Sequence, residues 1–273
     1  MKIIFLYREM SFRIVLLLFL MKFQDFFCES FRVYSFEEIQ QNFMKNLEIL
    51  ESFIKNGKCE HFYVDMGTNI GIQLRKLYEP EYYPGAEVIP YFDSFYGSEK
   101  VNNRTRPYVC AIGFEPNHLH FERLILLQTK YRQAGYPMVV FLGTAIWIEN
   151  KKLTFFQKPE ANAKWNEWGS SLIKWNQHMI EQPVLGLDSA AFFHRIFTLW
   201  SNQFDRPTGC FNNTSLGVVE MGNCSRHINA RDVKHKVLGK LDIEGAEYQV
   251  LPHLISHNVL CSFDELMIEF HNH

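Results

Sequence analysis

The sequence predicts an α/β fold: a parallel sheet with helices on both faces. Three observations predict it. Short apolar runs of strand length recur along the chain, several of them ending on an acid. Segments with apolar residues at helical spacing separate these runs. Hydrophobic residues make up 47% of the 273 positions and aromatics 15%, enough for one such domain with insertions.

The first 30 residues stand apart. Lys2, Arg8 and Arg13 precede the apolar run 14–21, and Lys22 interrupts it. Eight apolar residues do not span ~30 Å of hydrocarbon as a helix. A basic flank before a short apolar run suits a secretory signal peptide. No small-x-small cleavage site follows, so an uncleaved signal anchor is the alternative, and a buried amphipathic helix is the bland one. The domain is then expected over 31–273.

Ser35 and Glu38 form a capping-box pattern ahead of Ile39, Phe43, Leu47, Leu50 and Ile54, and Gly57 ends that helix. Residues 61–65 read as a strand running into the loop 66–71, with a helix through Leu77. Residues 79–107, rich in Pro, Tyr, Gly and Asn, read as an insertion suited to a lid. A second strand, 108–114, ends at Glu115, and a helix follows over 117–133 with Leu119, Leu124 and Leu127. The third strand is 138–142, and 153–156 is an extra one. Residues 189–204 form a helix, 205–232 a loop-rich excursion, 237–243 a strand, 246–255 a helix and 263–270 the last strand.

Net charge is −2 and the pI about 6.6. That excludes a basic nucleic-acid footprint over the whole chain and favours a small or neutral substrate. Glycosylation sequons stand at Asn103, Asn212, Asn213 and Asn223. Six cysteines are compatible with an oxidising compartment, and Cys210 with Cys224 can close the excursion as a disulfide. Six thiols, most of them buried, are the other reading.

Three sites carry chemistry. Asp65, Gly67, Asn69 and Gly71 lie between a strand and a helix, where glycines let the backbone turn tightly and approach a ligand. Dinucleotide enzymes place G-x-G-x-x-G there to cradle a pyrophosphate. Here the third glycine is missing and an acid stands beside the loop, which fits a cationic ligand better. Glu115 ends the next strand, where a carboxylate can accept both hydroxyls of a ribose. Asp242, Glu244 and Glu247 cluster at the end of a later strand. Ligands of open α/β sheets bind beyond the carboxyl ends of the strands, so Asp242 is expected to face the crevice that Gly67 and Glu115 face. An acid in a first helical turn also stabilises through the dipole, and Glu247 carries both readings. Two acids two residues apart are weak evidence for Mg²⁺, so no metal is expected.

The order of motifs is specific. Residues 64–71 (VDMGTNIG), 113–117 (GFEPN), 169–172 (GSSL), 240–247 (KLDIEGAE) and 268–271 (IEFH) resemble the FkbM family of S-adenosylmethionine-dependent methyltransferases, over roughly 60–271. The resemblance implies a Rossmann-like class I methyltransferase sheet. It implies O-methylation of a hydroxyl on a glycan or small metabolite, here in the secretory pathway. S-adenosylmethionine would be held by Asp65, Gly67, Asn69, Gly71, Glu115 and Thr144. Ser170, Ser171, Asp242, Glu244 and His271 would lie near the acceptor, with Asp242, Glu244 and His271 as catalytic candidates. Thr68 stands where the family usually has alanine. The chain ends just past the fifth strand, so the final C-terminal hairpin is expected to be absent. A non-catalytic secreted domain that keeps the fold is the alternative function.

Overall fold

The computed structural model describes residues 34–97, 106–157, 170–174, 177–203 and 235–271. The signal or anchor segment, all four sequons, the Cys210–Cys224 pair and the excursion at 205–232 lie outside them. Eight strands run in chain order: β1 His61–Met66, β2 Val109–Glu115, β3 Met138–Leu142, β4 Thr144–Trp147, β5 Lys151–Gln157, β6 Ile180–Asp188, β7 Val237–Leu241 and β8 Glu265–Ile268. The α-helices are α1 Phe36–Lys55, α2 Ile72–Tyr78, α3 Val88–Tyr96, α4 Phe121–Gln133, α5 Ser189–Ser201 and α6 Glu247–Ser256.

The fold is α/β. Five strands pair in the order β3-β2-β1-β7-β8, every neighbour parallel. Every residue of β1, β2 and β3 is buried, as a sheet covered on both faces requires. The chain steps outward from β1 to β3, then returns to the other side of β1 with β7. That reversal places a topological switch point beside β1, where open α/β sheets bind their ligands.

The capping box at Ser35 and Glu38 is formed: Glu38 N donates to Ser35 Oγ at 3.1 Å and Ser35 N to Glu38 Oε2 at 2.8 Å. Ile39, Leu47, Leu50 and Ile54 bury one stripe of α1 against the sheet and α5. The described part of the insertion at 79–107 contains α3, which packs on the sheet. Phe92 packs edge-on against Tyr63 of β1 at 5.2 Å, and Tyr96 Oη donates to Phe62 O at 2.8 Å. Buried Arg106 ties Leu77 O to Asp93. The helix thus covers the sheet face, and aromatic burial of this kind outweighs a Pro- and Tyr-rich composition.

Beside the main sheet stands a second one, ordered β4-β6-β5, with β4 parallel and β5 antiparallel to β6. Only the middle of β5 was expected. Pro183 and Gly186 interrupt the strand pattern of β6, and no strand was expected there. A disulfide joins Cys59, just before β1, to Cys110 in β2, with Cα atoms 5.0 Å apart. For this pair the reading as free thiols is therefore wrong. Trp200 of α5 donates its indole N–H to Cys59 O at 2.7 Å. Among the described residues no helix is long and apolar enough to cross a membrane.

Candidate functional site

A cavity of about 470 Å³ opens at the carboxyl ends of β1, β2 and β7, a volume in the range of small-molecule sites. Its floor is the loop after β1. Gly67 N and Thr68 N donate to Phe114 O at 3.2 and 3.0 Å, clamping this loop to β2. Gly67 has φ +91°, and a Cβ there would lie 1.8 Å from Asp242 O. The glycine is needed so that the β7 loop can touch the β1 loop. Gly71, at φ +81°, faces α4: a Cβ would lie 2.6 Å from Leu127 Cδ2. Gly71 does not line the cavity, so its expected ligand contact is corrected to helix packing. Asn69 stands at φ 53°, a left-handed position that Asn tolerates better than most residues. This conformation aims its backbone N–H at Glu115 Oε2, 2.5 Å away.

Glu115 lines the cavity although it is 4% exposed. Asn69 N donates to one oxygen and Asn117 N to the other, at 2.9 Å. Each oxygen keeps a lone pair, the capacity needed for two vicinal hydroxyls. Thr144 also lines the wall, its hydroxyl 3.4 Å from Leu142 O.

Asp65 departs from expectation. Its side chain is fully buried, it is not part of the lining, and neither carboxylate oxygen has a hydrogen bond. Burial, opposed by Lys240 and joined by Asp242 and Glu115, raises its carboxyl from 3.8 to about 6. Lys240 does line the cavity. Its Nζ lies 3.8 Å from Asp65 Oδ1 and 2.7 Å from Asp242 Oδ2. Asp65 therefore faces the site through Lys240, not directly.

Asp242, Glu244 and His271 meet on the opposite wall. Asp242 N donates to Met66 O at 3.0 Å, so Asp242 stands directly beyond the end of β1, in the crevice expected for it. Glu244 is held at φ 53°, and Ser171 Oγ donates to its carbonyl at 2.7 Å. Ser171 thus braces the loop, while Ser170 lines the cavity. His271 Nδ1 lies 3.2 Å from Glu247 Oε1, which directs Nε2 toward Asp242 Oδ1, 3.8 Å away. Glu247 is fully buried and accepts the N–H groups of Ile243 and Gly245, both at 2.8 Å. It shapes the loop and orients the imidazole. Partial burial opposes the imidazolium, but the Glu247 hydrogen bond and the charges of Glu244, Glu247 and Asp242 outweigh it and raise the His271 pKa.

Asp242, Glu244 and His271 each offer a ligand atom within 4.8 Å of the others, a donor set that a divalent cation can use. Lys240 already neutralises Asp242 from 2.7 Å. A second cation beside it costs on the order of several kcal/mol, which opposes metal binding.

Lys240, Asn117 and His120 were given no role from the sequence, and Glu247 was read only as an acid near the cluster. Their burial is set by the fold, and Lys240 and Glu247 also reach partners distant in sequence, Asp65 and His271. Comparison with protein-family models, curated proteins and solved structures finds no match for this chain. The likeness to the FkbM family therefore rests on the quoted motifs alone.

Proposed function

We propose that the chain is an S-adenosylmethionine-dependent O-methyltransferase acting on a hydroxyl of a glycan or small metabolite in the secretory pathway. The carrying observation is the convergence in one cavity of Glu115, with a spare lone pair on each oxygen, and the Asp242–His271 pair. The first fits a ribose diol and the second an acceptor hydroxyl. The acid-lined wall at Asp242, Glu244 and Glu269 disfavours phosphates and hence a dinucleotide. The Cys59–Cys110 disulfide supports an oxidising compartment.

S-adenosylmethionine, when bound, supplies an electrophilic methyl group. Glu115 and the loop after β1 hold its nucleoside. Lys240 fixes Asp242 toward the acceptor wall. His271, oriented by Glu247, removes the acceptor's proton as its oxygen becomes the nucleophile. Glu244, held by Ser171, contributes a carboxylate that can accept from a neighbouring acceptor hydroxyl.

Calorimetry with S-adenosylmethionine, followed by labelled methyl transfer to a panel of glycans and hydroxylated metabolites, tests this. Binding that is lost in Glu115→Ala and methylation that is lost in His271→Gln are the expected results. A folded wild-type protein that does not bind the cofactor would defeat the proposal. The ion pair between Lys240 and Asp242 favours one alternative, a non-catalytic domain, because it occupies a carboxylate otherwise available to the acceptor. Binding without turnover on any acceptor is its signature.

A further inference from the structure

Two stretches distant in sequence wall the cavity beside each other. The turn after β2 contributes Pro116, Asn117 and His120, and the side sheet contributes Ala145, Ile146 and Phe155. His118 does not line the cavity, yet it stitches these two walls together. Its backbone N–H donates to Gln182 Oε1 at 3.3 Å, and its Nε2 lies 3.1 Å from Pro183 O, both on β6. Among the described residues these are the hydrogen bonds that join 116–120 to the side sheet. Gln182 Nε2 donates in turn to Gln157 Oε1 on β5, so the far end of the stitch is itself held.

The ring of His118 is 4% exposed and enclosed by Tyr34 and Phe121, with centroids 6.0 and 4.7 Å away. A carbonyl only accepts, so Nε2 carries the proton and Nδ1 is bare. Nδ1 is buried and has no hydrogen-bond partner. That suits the neutral ring alone. In the imidazolium both nitrogens donate, and Nδ1–H would be a buried charged donor with no acceptor. The surroundings supply little to offset it. Tyr34 donates its hydroxyl to Glu122 Oε1 at 2.9 Å, Glu115 and His120 of the same turn stand 3.2 Å from each other, and β5 and β6 present the neutral Gln157, Gln182 and Pro183. Burial holds the His118 pKa below 6.5, and the Pro183 carbonyl opposes this. The contribution of the neutral ring to stability is therefore complete above 6.5 and is lost as pH falls through the lower folded value.

We propose that His118 is an acid-sensitive latch between two walls of the cavity: the neutral ring holds the turn after β2 against the side sheet, and its protonation releases the turn and weakens binding in the cavity. His118 is thus a positioning residue, and occupancy falls as the surroundings acidify without any change in the groups that touch the ligand. The latch does not depend on what the cavity takes; only the binding arm of its test rests on the proposal that it takes S-adenosylmethionine. Hydrogen exchange of the full chain, corrected for the intrinsic pH dependence of amides, is compared at about pH 7.5 and about pH 5.5. Peptides over 117–121 and 180–186 are expected to exchange roughly fivefold faster or more at the lower pH, with β1 and β3 unchanged. In His118→Gln, which keeps a donor for Pro183 O and takes no charge, the acceleration should vanish. S-adenosylhomocysteine, titrated by calorimetry, should bind wild type several-fold more weakly at the lower pH and His118→Gln nearly equally at both. If His118→Gln does not fold, the ring of His118 is titrated by NMR in wild type, and the acceleration must follow that titration. Exchange that is equal at the two pH values overturns the latch, as does acceleration that persists in His118→Gln or follows another group. Equal affinity of wild type for S-adenosylhomocysteine at the two pH values also overturns it. A folded chain that does not bind this probe at the higher pH defeats the proposed function instead, and the exchange result then decides the latch.

Discussion

Two side chains at or beside the site have shifted pKa values, and each makes a prediction. Asp65 is the clearer. Its folded pKa of about 6 against 3.8 means that the folded protein binds a proton that the unfolded chain has released. Stability therefore falls as pH rises from about 4 to 6, by roughly 3 kcal/mol on conversion of that shift, and is flat above. Asp65→Asn should remove this slope and raise the melting temperature at pH 7 by several degrees while leaving it nearly unchanged at pH 4. Thermal melts at the two pH values check it. The same variant should weaken cofactor binding only indirectly, by freeing Lys240 from one of its two acids. His271 has the opposite sign. Its raised pKa stabilises the fold below 6.5 and that stability is lost as pH rises through the higher folded value. As the proposed base it works only when neutral, so kcat/KM should rise with pH through an apparent pKa above 6.5. His271→Gln should flatten the profile and lower kcat by roughly a hundredfold or more, with cofactor affinity kept.

At the scale of elements, the two βα loops that form the floor are interlocked at one point. Gly67→Ala places a methyl group against the Asp242 carbonyl, at a φ that disfavours any side chain. It should destabilise the protein by about 3 kcal/mol and lower nucleoside affinity together, read by melting and calorimetry on the same sample. A melting temperature within a degree of wild type would show that the loops are not coupled. The glycines were visible in the sequence, but their purpose was not. They were read as room for a ligand; Gly67 does line the cavity and also makes room for Asp242, while Gly71 makes room for Leu127. β1, β2 and β3 were legible because they are buried on both faces and show as continuous apolar runs. The side sheet was not. β4 is four residues long and follows β3 after Gly143 alone, and β6 carries Pro183 and Gly186. α3 was hidden by its Pro and Tyr, although Pro90 sits in the first turn, where proline is tolerated. In the site, Glu115 and Asp242 were found because strand ends can be counted. Lys240 was missed because one of its two acids, Asp65, stands on another strand, and Asn117 and His120 because their burial in the cavity wall is set by the fold.

At the scale of the whole fold, the candidate site and the disulfide lie at opposite ends of the sheet. The cavity opens beyond the carboxyl ends of β1, β2 and β7, whereas Cys59 precedes β1 and Cys110 sits near the start of β2. The bond spans 51 residues of sequence, a loop whose closure stabilises by about 4 kcal/mol on chain-entropy estimates. Reduction should lower the melting temperature by roughly ten degrees, measured by scans with and without dithiothreitol. Cofactor affinity of molecules still folded should not change. Equal melting in both conditions would show that the bond contributes nothing to the fold.

The indole of Trp200 gives this arrangement an optical consequence. Its N–H donates to the carbonyl of Cys59, the residue that carries one sulfur of the bond, in an interior where the ring is 2% exposed. Disulfides quench a neighbouring excited indole by electron transfer, and thiols do so less. The emission of Trp200 should therefore brighten on reduction before any red shift signals exposure to water. Trp200→Phe should remove that brightening, because Trp200 is the indole bonded to Cys59 among the five in the chain.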